Sequence, residues 1–185
     1  AVAHPPVANL VATRAAGAVT IDGLLGDWTG ATPVQFAGPS NTVTARVMWD
    51  AVNLYAALQV TDTRLAAVQT ARDAPGLWKD DTVELYLDSV YGRAASMQPH
   101  DYQFLVSAAG VQGDLRGTGA GKDPAWNAVW RSAVVRQGTL NNHGDTDTGY
   151  VVEVAIPWTA IGVLPLSGSY VGMDLAVDDS DPGAP

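Results

Sequence analysis

The sequence predicts an all-β chain, an antiparallel β-sandwich with one short helical turn, and three observations carry that prediction. Apolar residues alternate with period two in one segment after another. Helical periodicity is scarce. Between the alternating runs lie stretches dense in Gly, Pro, Asp and Asn, which end strands at short intervals.

In chain order, residues 1–16 read as an N-terminal arm or linker, and residues 17–185 as one domain of ordinary size. Val19–Ile21 reads as a short strand. From Thr42 to Trp49, Val43, Ala45, Val47 and Trp49 share one face, while Thr44, Arg46 and Met48 share the other. Asp50–Asn53 is a turn, and Leu54, Ala56, Leu58 and Val60 resume the apolar face opposite Tyr55, Ala57 and Gln59. That pairing predicts a β-hairpin. The alternation recurs at Val83/Leu85/Leu87, Tyr102/Phe104/Val106, Ser132–Arg136, Tyr150/Val152/Val154/Ile156 and Val171/Met173/Leu175/Val177. Ala37–Asn41, Gly113–Pro124 and Gly138–Gly149 read as loops. Pro157–Gly162, with Pro at its start and Gly at its end, is the one helical turn.

Composition excludes several classes of function. Among 185 residues, 19 acids face 10 bases, for a formal charge of -9. Such a surface repels phosphate backbones, so no nucleic-acid partner is expected. No apolar run approaches the roughly 18–20 residues of a membrane-spanning helix, so no membrane insertion is expected. Cysteine is absent, which removes disulfides, thiolate nucleophiles and Cys-ligated metals. The start Ala1-Val2-Ala3-His4-Pro5-Pro6 reads as a mature end left by a signal peptidase, giving an expectation of a secreted, extracellular protein.

The richest stretch is Leu77-Trp78-Lys79-Asp80-Asp81-Thr82-Val83-Glu84-Leu85-Tyr86-Leu87-Asp88. With Val83, Leu85 and Leu87 facing the core, Glu84, Tyr86 and Asp88 face outward. The polar faces of neighbouring strands offer Arg46, Gln59, Tyr55 and Gln103. Carboxylate, amides, Arg and tyrosines on one sheet face suit a ligand covered in hydroxyls, and a Trp ring suits the C–H face of a sugar. The competing reading pairs Glu84 with Arg46 on a solvated face and buries Trp78. Six Trp against two Phe is a heavy supply, and Trp126 and Trp130 are a second candidate platform.

Only two of the acids are Glu (Glu84 and Glu153); the rest are Asp, gathered in turns where hard cations are often held. The expected metal is structural calcium, on Asp22 with Asp178, Asp179 and Asp181, because the first and last strands of a sandwich often lie near each other. His4, His100 and His143 sit in polar surroundings and read as surface residues. No G-x-S-x-G elbow is present, so no catalytic residues are assigned and the chain is not read as an enzyme.

Taken together, the motifs resemble those of family-nine carbohydrate-binding modules. They are Ile21-Asp22-Gly23 with Asp27-Trp28, Ala45-Arg46-Val47-Met48-Trp49-Asp50 with Asn53-Leu54-Tyr55, Leu77-Trp78 with Val83-Glu84-Leu85, Asp101-Tyr102-Gln103-Phe104, and Gly149-Tyr150 through Pro157-Trp158. The resemblance implies a β-sandwich that binds an oligo- or polysaccharide such as cellulose or xylan without catalysis. It also implies structural calcium and fused or associated catalytic domains of a polysaccharide-degrading system. Trp78 then corresponds to one ring of a clamp on the terminal sugar, and Glu84 to the strand Glu that contacts its hydroxyls. Two departures weaken the implied site: Leu105 stands where such binders carry Arg, and the second clamp Trp would follow the final strand, beyond Asp181. The same sandwich also hosts haem-b electron-transfer domains that ligate iron through Met with His or Lys. Met48, with Met97, His100, Lys79 or Lys122, is the corresponding alternative here. A third is a structural or interaction domain with a degenerate ligand face.

Overall fold

The computed structural model describes residues 10–180. Eleven strands run through these residues: β1 (Thr13–Arg14), β2 (Val34–Ala37), β3 (Thr42–Trp49), β4 (Asn53–Thr61), β5 (Thr82–Asp88), β6 (Asp101–Ser107), β7 (Gln112–Gly117), β8 (Lys122–Asp123), β9 (Arg131–Gln137), β10 (Gly149–Pro157) and β11 (Gly172–Asp178). They form two sheets. The first has the order β1-β3-β4-β10-β9, with β2 also on the free edge of β3; the second runs β11-β5-β6-β7-β8. All pairings are antiparallel except β1 with β3.

The expected hairpin is β3–β4, closed by Trp49 opposite Leu54. Asp50 makes the turn, its Oδ1 accepting the N–H groups of Val52 and Asn53 at 2.7 Å each. Period-two alternation then decides the layers. Val43, Ala45, Val47, Leu54, Ala56, Leu58, Val152 and Val154 of the first sheet meet Val83, Leu85, Leu87, Phe104 and Val106 of the second in one buried core. Each fully buried Val, Leu or Phe contributes about 1.5–3 kcal/mol.

A second apolar layer lies on the outer face of the first sheet. Met48, Tyr55, Ala57 and Ala155 face away from the core and are covered by Val19, Trp28 and Ala31 from the chain before β2. Glu153, fully buried on the central strand β10, fastens this cover. Its Oε2 accepts the N–H groups of Asp22 and Gly23 at 2.8 and 2.7 Å, and its Oε1 accepts the Trp28 indole N–H at 2.6 Å. Burial pushes the Glu153 carboxyl above the usual glutamate range even against these three donors. Gly23 has φ +82°, and a Cβ there would sit 2.5 Å from Val135 Cγ2, so the turn needs glycine on both counts.

The structure corrects several expectations. Val19–Ile21 is not a strand, because its side chains cap the outer layer instead of joining a ladder. Thr13–Arg14, within the expected arm, pairs with Met48–Trp49. Gly113–Pro124 is not one loop, since it holds β7 and β8. β7 reads Gln-Gly-Asp-Leu-Arg-Gly and lacks apolar alternation; its buried Asp114 is satisfied by Arg72 and by the Trp130 indole N–H at 2.7 Å. The helical turn at Trp158–Ala160 is present as 3₁₀ helix, and two more such turns occur at Leu25–Asp27 and Leu77–Lys79.

Candidate functional site

The outer face of the second sheet carries a cleft of about 540 Å³. Strand parity supplies its floor: Glu84 and Tyr86 on β5 stand opposite Leu105 and Gln103 on β6. Leu115 of β7 lies beside Gln103, and Lys122 of β8 and Asp178 of β11 approach from the two edges. The wall is the turn Leu77–Lys79. Leu77 is buried and its carbonyl accepts the Thr82 hydroxyl at 2.8 Å. It can pack over β7 only because residue 113 is glycine, where a Cβ would fall 2.8 Å from Leu77 Cδ2. Anchored in this way, the turn presents Trp78 to solvent, 55% exposed, with Lys79 Nζ 5.3 Å from the ring centroid.

The floor is one polar network. The Tyr86 hydroxyl donates to Glu84 Oε2, and Gln103 Nε2 donates to the same oxygen at 2.9 Å and to Tyr86 Oη at 2.9 Å. Lys122 Nζ donates to Gln103 Oε1 at 3.0 Å, which fixes the amide's orientation. Burial, then the hydrogen bond to Glu84 and the Glu84 charge, hold the Tyr86 phenol well above its ordinary value. The Asp178 carboxyl is pushed up to about 7, first by burial and then by the charge of Glu84 and a hydrogen bond with it. Such a floor can accept and donate hydrogen bonds, and a ring laid on Trp78 would have its edge over it.

Trp78, Glu84, Tyr86 and Gln103 therefore converge. Arg46 and Gln59 do not join them. They lie on the outer face of the first sheet, in register with Ala57 and Thr44, and both sheets separate them from the cleft. The Glu84–Arg46 pairing is ruled out by the same separation, since β3 and β5 belong to different sheets. Glu84 and Glu153 likewise sit on opposite faces of the sandwich and form no carboxylate pair. Trp126 and Trp130 turn inward, packed on Tyr102 and Phe104 with ring centroids 5.1–6.0 Å apart, so they offer no platform. Two further residues belong to the cleft that the sequence does not assign to it, Lys122 and Asp178. Lys122 falls in the Gly-rich stretch Gly113–Pro124, which carries no alternation to give its direction. Asp178 carries a signal, since Val177 faces the core and its neighbour must face out, but the run of acids around it points to a metal instead.

The expected calcium set is also redistributed. The Asp22 carboxylate caps its own turn, accepting the Leu24 N–H at 2.9 Å, on the face opposite Asp178. Asp178 points into the cleft, and Asp181 lies outside the described residues. Asp179 instead converges with Asp62 and Asp81, with ligand oxygens all within 4.8 Å. Asp62 and Asp81 are buried. Asp81 accepts the N–H groups of Ala66 and Ser180 at 2.6 and 2.8 Å, yet burial and the neighbouring Asp179 push it up to about 6. Three crowded carboxylates around one point fit a hard cation such as calcium. A second convergent group is Asp88, His100 and Asp101, at the ends of β5 and β6.

The haem alternative does not fit these side chains. Met48 is 2% exposed, sealed in the layer of Trp28 and Tyr55, whereas Lys79, Met97, His100 and Lys122 belong to the second sheet or its loops. No helix among the described residues is long and apolar enough to cross a membrane.

Comparison with known proteins follows the same lines. The sequence profile of the carbohydrate family 9 binding domain-like family matches residues 27–184. The chain is 28% identical over 177 residues to the exoglucanase XynX of Acetivibrio thermocellus, covering 92% of this chain and 14% of that protein. It is 27% identical over 177 residues to the endo-1,4-beta-xylanase A of Thermoanaerobacterium saccharolyticum, covering 92% and 13%. The chain thus spans about one seventh of the length of these relatives. Among solved structures, a carbohydrate binding module of family 9 from Caldicellulosiruptor kristjanssonii, in complex with cellotriose, superposes with a TM-score of 0.67 at 22% identity, over 94% of this chain and 78% of that one. The same module in complex with glucose gives 0.66. At that identity the likeness speaks for the sandwich fold.

Proposed function

Because the chain belongs to the carbohydrate family 9 binding domain-like family, whose members are non-catalytic modules, we propose that it holds a polysaccharide chain in the cleft between Trp78 and the β5–β6 floor. One observation carries this reading. The exposed Trp78 ring stands beside a buried, mutually hydrogen-bonded Glu84–Tyr86–Gln103 network on the open outer face of the sandwich. Trp78 stacks on the C–H face of a pyranose, which needs no charge. Glu84 accepts from a pair of ring hydroxyls, and Tyr86, Gln103 and Lys122 complete the floor.

Xylan and cellulose are the substrates that the relatives' names favour, and the module serves an extracellular enzyme of which it is one part. With Leu105 uncharged on the floor and one exposed ring on the wall, the affinity for short oligosaccharides is modest, about 0.1–1 mM. Calcium, held by Asp62, Asp81 and Asp179, ties the chain after β4 to the start of β5 and the end of β11, next to the cleft. Calorimetric titration with xylo-, cello- and manno-oligosaccharides on the wild type and Trp78→Ala tests the reading. Binding lost in the variant supports it. Binding that survives unchanged moves the site elsewhere, and no binding to any sugar ends it.

A further inference from the structure

Binding a neutral sugar does not require two adjoining acids on the floor, yet Glu84 and Asp178 adjoin there. Asp178 lies in register with Thr82, two positions beyond Ala176, which stands opposite Glu84; the two carboxyls therefore share the outer face of neighbouring strands. Asp178 Oδ2 is shielded from solvent and has no hydrogen-bond partner among the described residues, and the contact the carboxyl does make is to another acid, Glu84. Burying an acceptor without a donor is costly, and burying two like charges side by side is more so.

The described residues do not supply the missing cation. Neither Glu84 nor Asp178 forms an ion pair within 4.0 Å with a described residue. Arg72 is engaged with Asp73 and Asp114, and the Lys122 ammonium is turned to Gln103 Oε1. Both carboxyls nevertheless line the open cleft on the same floor as the exposed Trp78 wall. The chain as a whole carries a formal charge of -9, which draws cationic polymers towards it.

We propose that the cleft takes a sugar bearing an ammonium group, a 2-amino-2-deoxy hexose such as the units of a de-N-acetylated chitin chain, with Asp178 and Glu84 accepting that ammonium. This rests on the reading of the cleft as a sugar site. An ammonium brings three donors and a positive charge to the one place on the floor that has acceptors without a counter-charge. A hydroxyl brings one donor and none. Charge-assisted hydrogen bonds are roughly twice as strong as neutral ones, so the amine should dominate the choice between otherwise similar hexoses. N-acetylation removes both the charge and two of the donors.

The test is calorimetry at about pH 5.5, where the sugar amine, made more acidic than an ordinary amino group by its neighbouring oxygens, is still protonated, with glucosamine trimer, N-acetylglucosamine trimer and cellotriose. The titrations use wild type, Asp178→Asn and Glu84→Gln, each checked for folding by its thermal melt. The expected result is at least tenfold tighter binding of the glucosamine trimer than of the other two. That ratio should fall towards one in Asp178→Asn, and in wild type as salt is raised. If Asp178→Asn does not fold, the same fall in Glu84→Gln serves. Equal binding of cellotriose and glucosamine trimer overturns the inference and leaves the sugar site standing, as does an advantage that both variants retain. No binding of any sugar overturns the sugar site itself, and the inference with it.

Discussion

The indole N–H of Trp28 donates to Glu153 Oε1 at 2.6 Å, joining residues 125 positions apart on the outer face of the first sheet. With the Asp22 and Gly23 N–H groups on the other oxygen, one carboxylate satisfies three donors that would otherwise be stranded beneath an apolar cover. The segment before β2 therefore belongs to the fold, although little of it is strand.

Removing that acceptor should be expensive. Glu153→Ala is expected to lower stability by about 3 kcal/mol or more, because buried donors lose their partner. Glu153→Gln, which keeps a carbonyl oxygen, should cost less than half as much. Urea unfolding followed by tryptophan fluorescence measures both, and equal losses would show that the hydrogen bonds are not what holds the cover.

Trp78 should behave in the opposite way. At 55% exposure it contributes little packing, so Trp78→Ala should change stability by no more than about 0.5 kcal/mol. Oligosaccharide affinity should fall at least tenfold in the same protein. A thermal melt and a titration on one preparation separate the two effects.

Calcium should raise the melting temperature, and EDTA should lower it. At a free concentration 100 times its dissociation constant, an ion bound only by the folded state adds about 2.7 kcal/mol. Asp62→Asn and Asp81→Asn should each remove the calcium response, whereas Asp22→Asn should leave it intact. A response lost only in Asp22→Asn would restore the grouping read from sequence.

Asp50 should make the fold acid-sensitive. Burial alone would raise its pKa, but the Tyr55 hydroxyl and the Asn53 and Val52 N–H groups more than reverse that, leaving it below the ordinary aspartate value. A carboxyl depressed in the folded state adds stability above its unfolded pKa, and this is lost as pH falls through the folded value. Wild type should therefore lose stability as pH drops below about 4, and Asp50→Asn, less stable at neutral pH, should lose less over that interval. Denaturant midpoints on a pH series would show parallel curves if Asp50 were not involved.

The strands with apolar alternation were legible because burial on one face imposes period two whatever the partner strand. Glu84 and Tyr86 were assigned outward correctly on that ground alone. Parity within a strand does not say which sheet the strand joins, so Arg46 and Gln59 were placed with Glu84 although two layers separate them. β7 escaped because Gly113 and Gly117 admit close neighbours and Asp114 is buried against Arg72, leaving no apolar pattern to see. Asp62 and Asp81 were passed over as a pair for a related reason: 19 positions apart in sequence, they meet only once β4 and β5 are in different sheets. The outer cover was illegible as well, since Val19 and Trp28 look like core residues until a second core exists for them.

A sandwich has two broad outer faces, and in this chain the segment from Val19 to Ala31 covers the Met48, Tyr55, Ala57 and Ala155 part of one of them. The cleft among the described residues lies on the other, so on the reading proposed above the domain uses one sheet face to hold a polymer. On that reading one domain holds one polysaccharide strand. Any gain in retention on an insoluble surface must then come from linkage to a further binding domain, where effective concentration multiplies two weak affinities into a tight one.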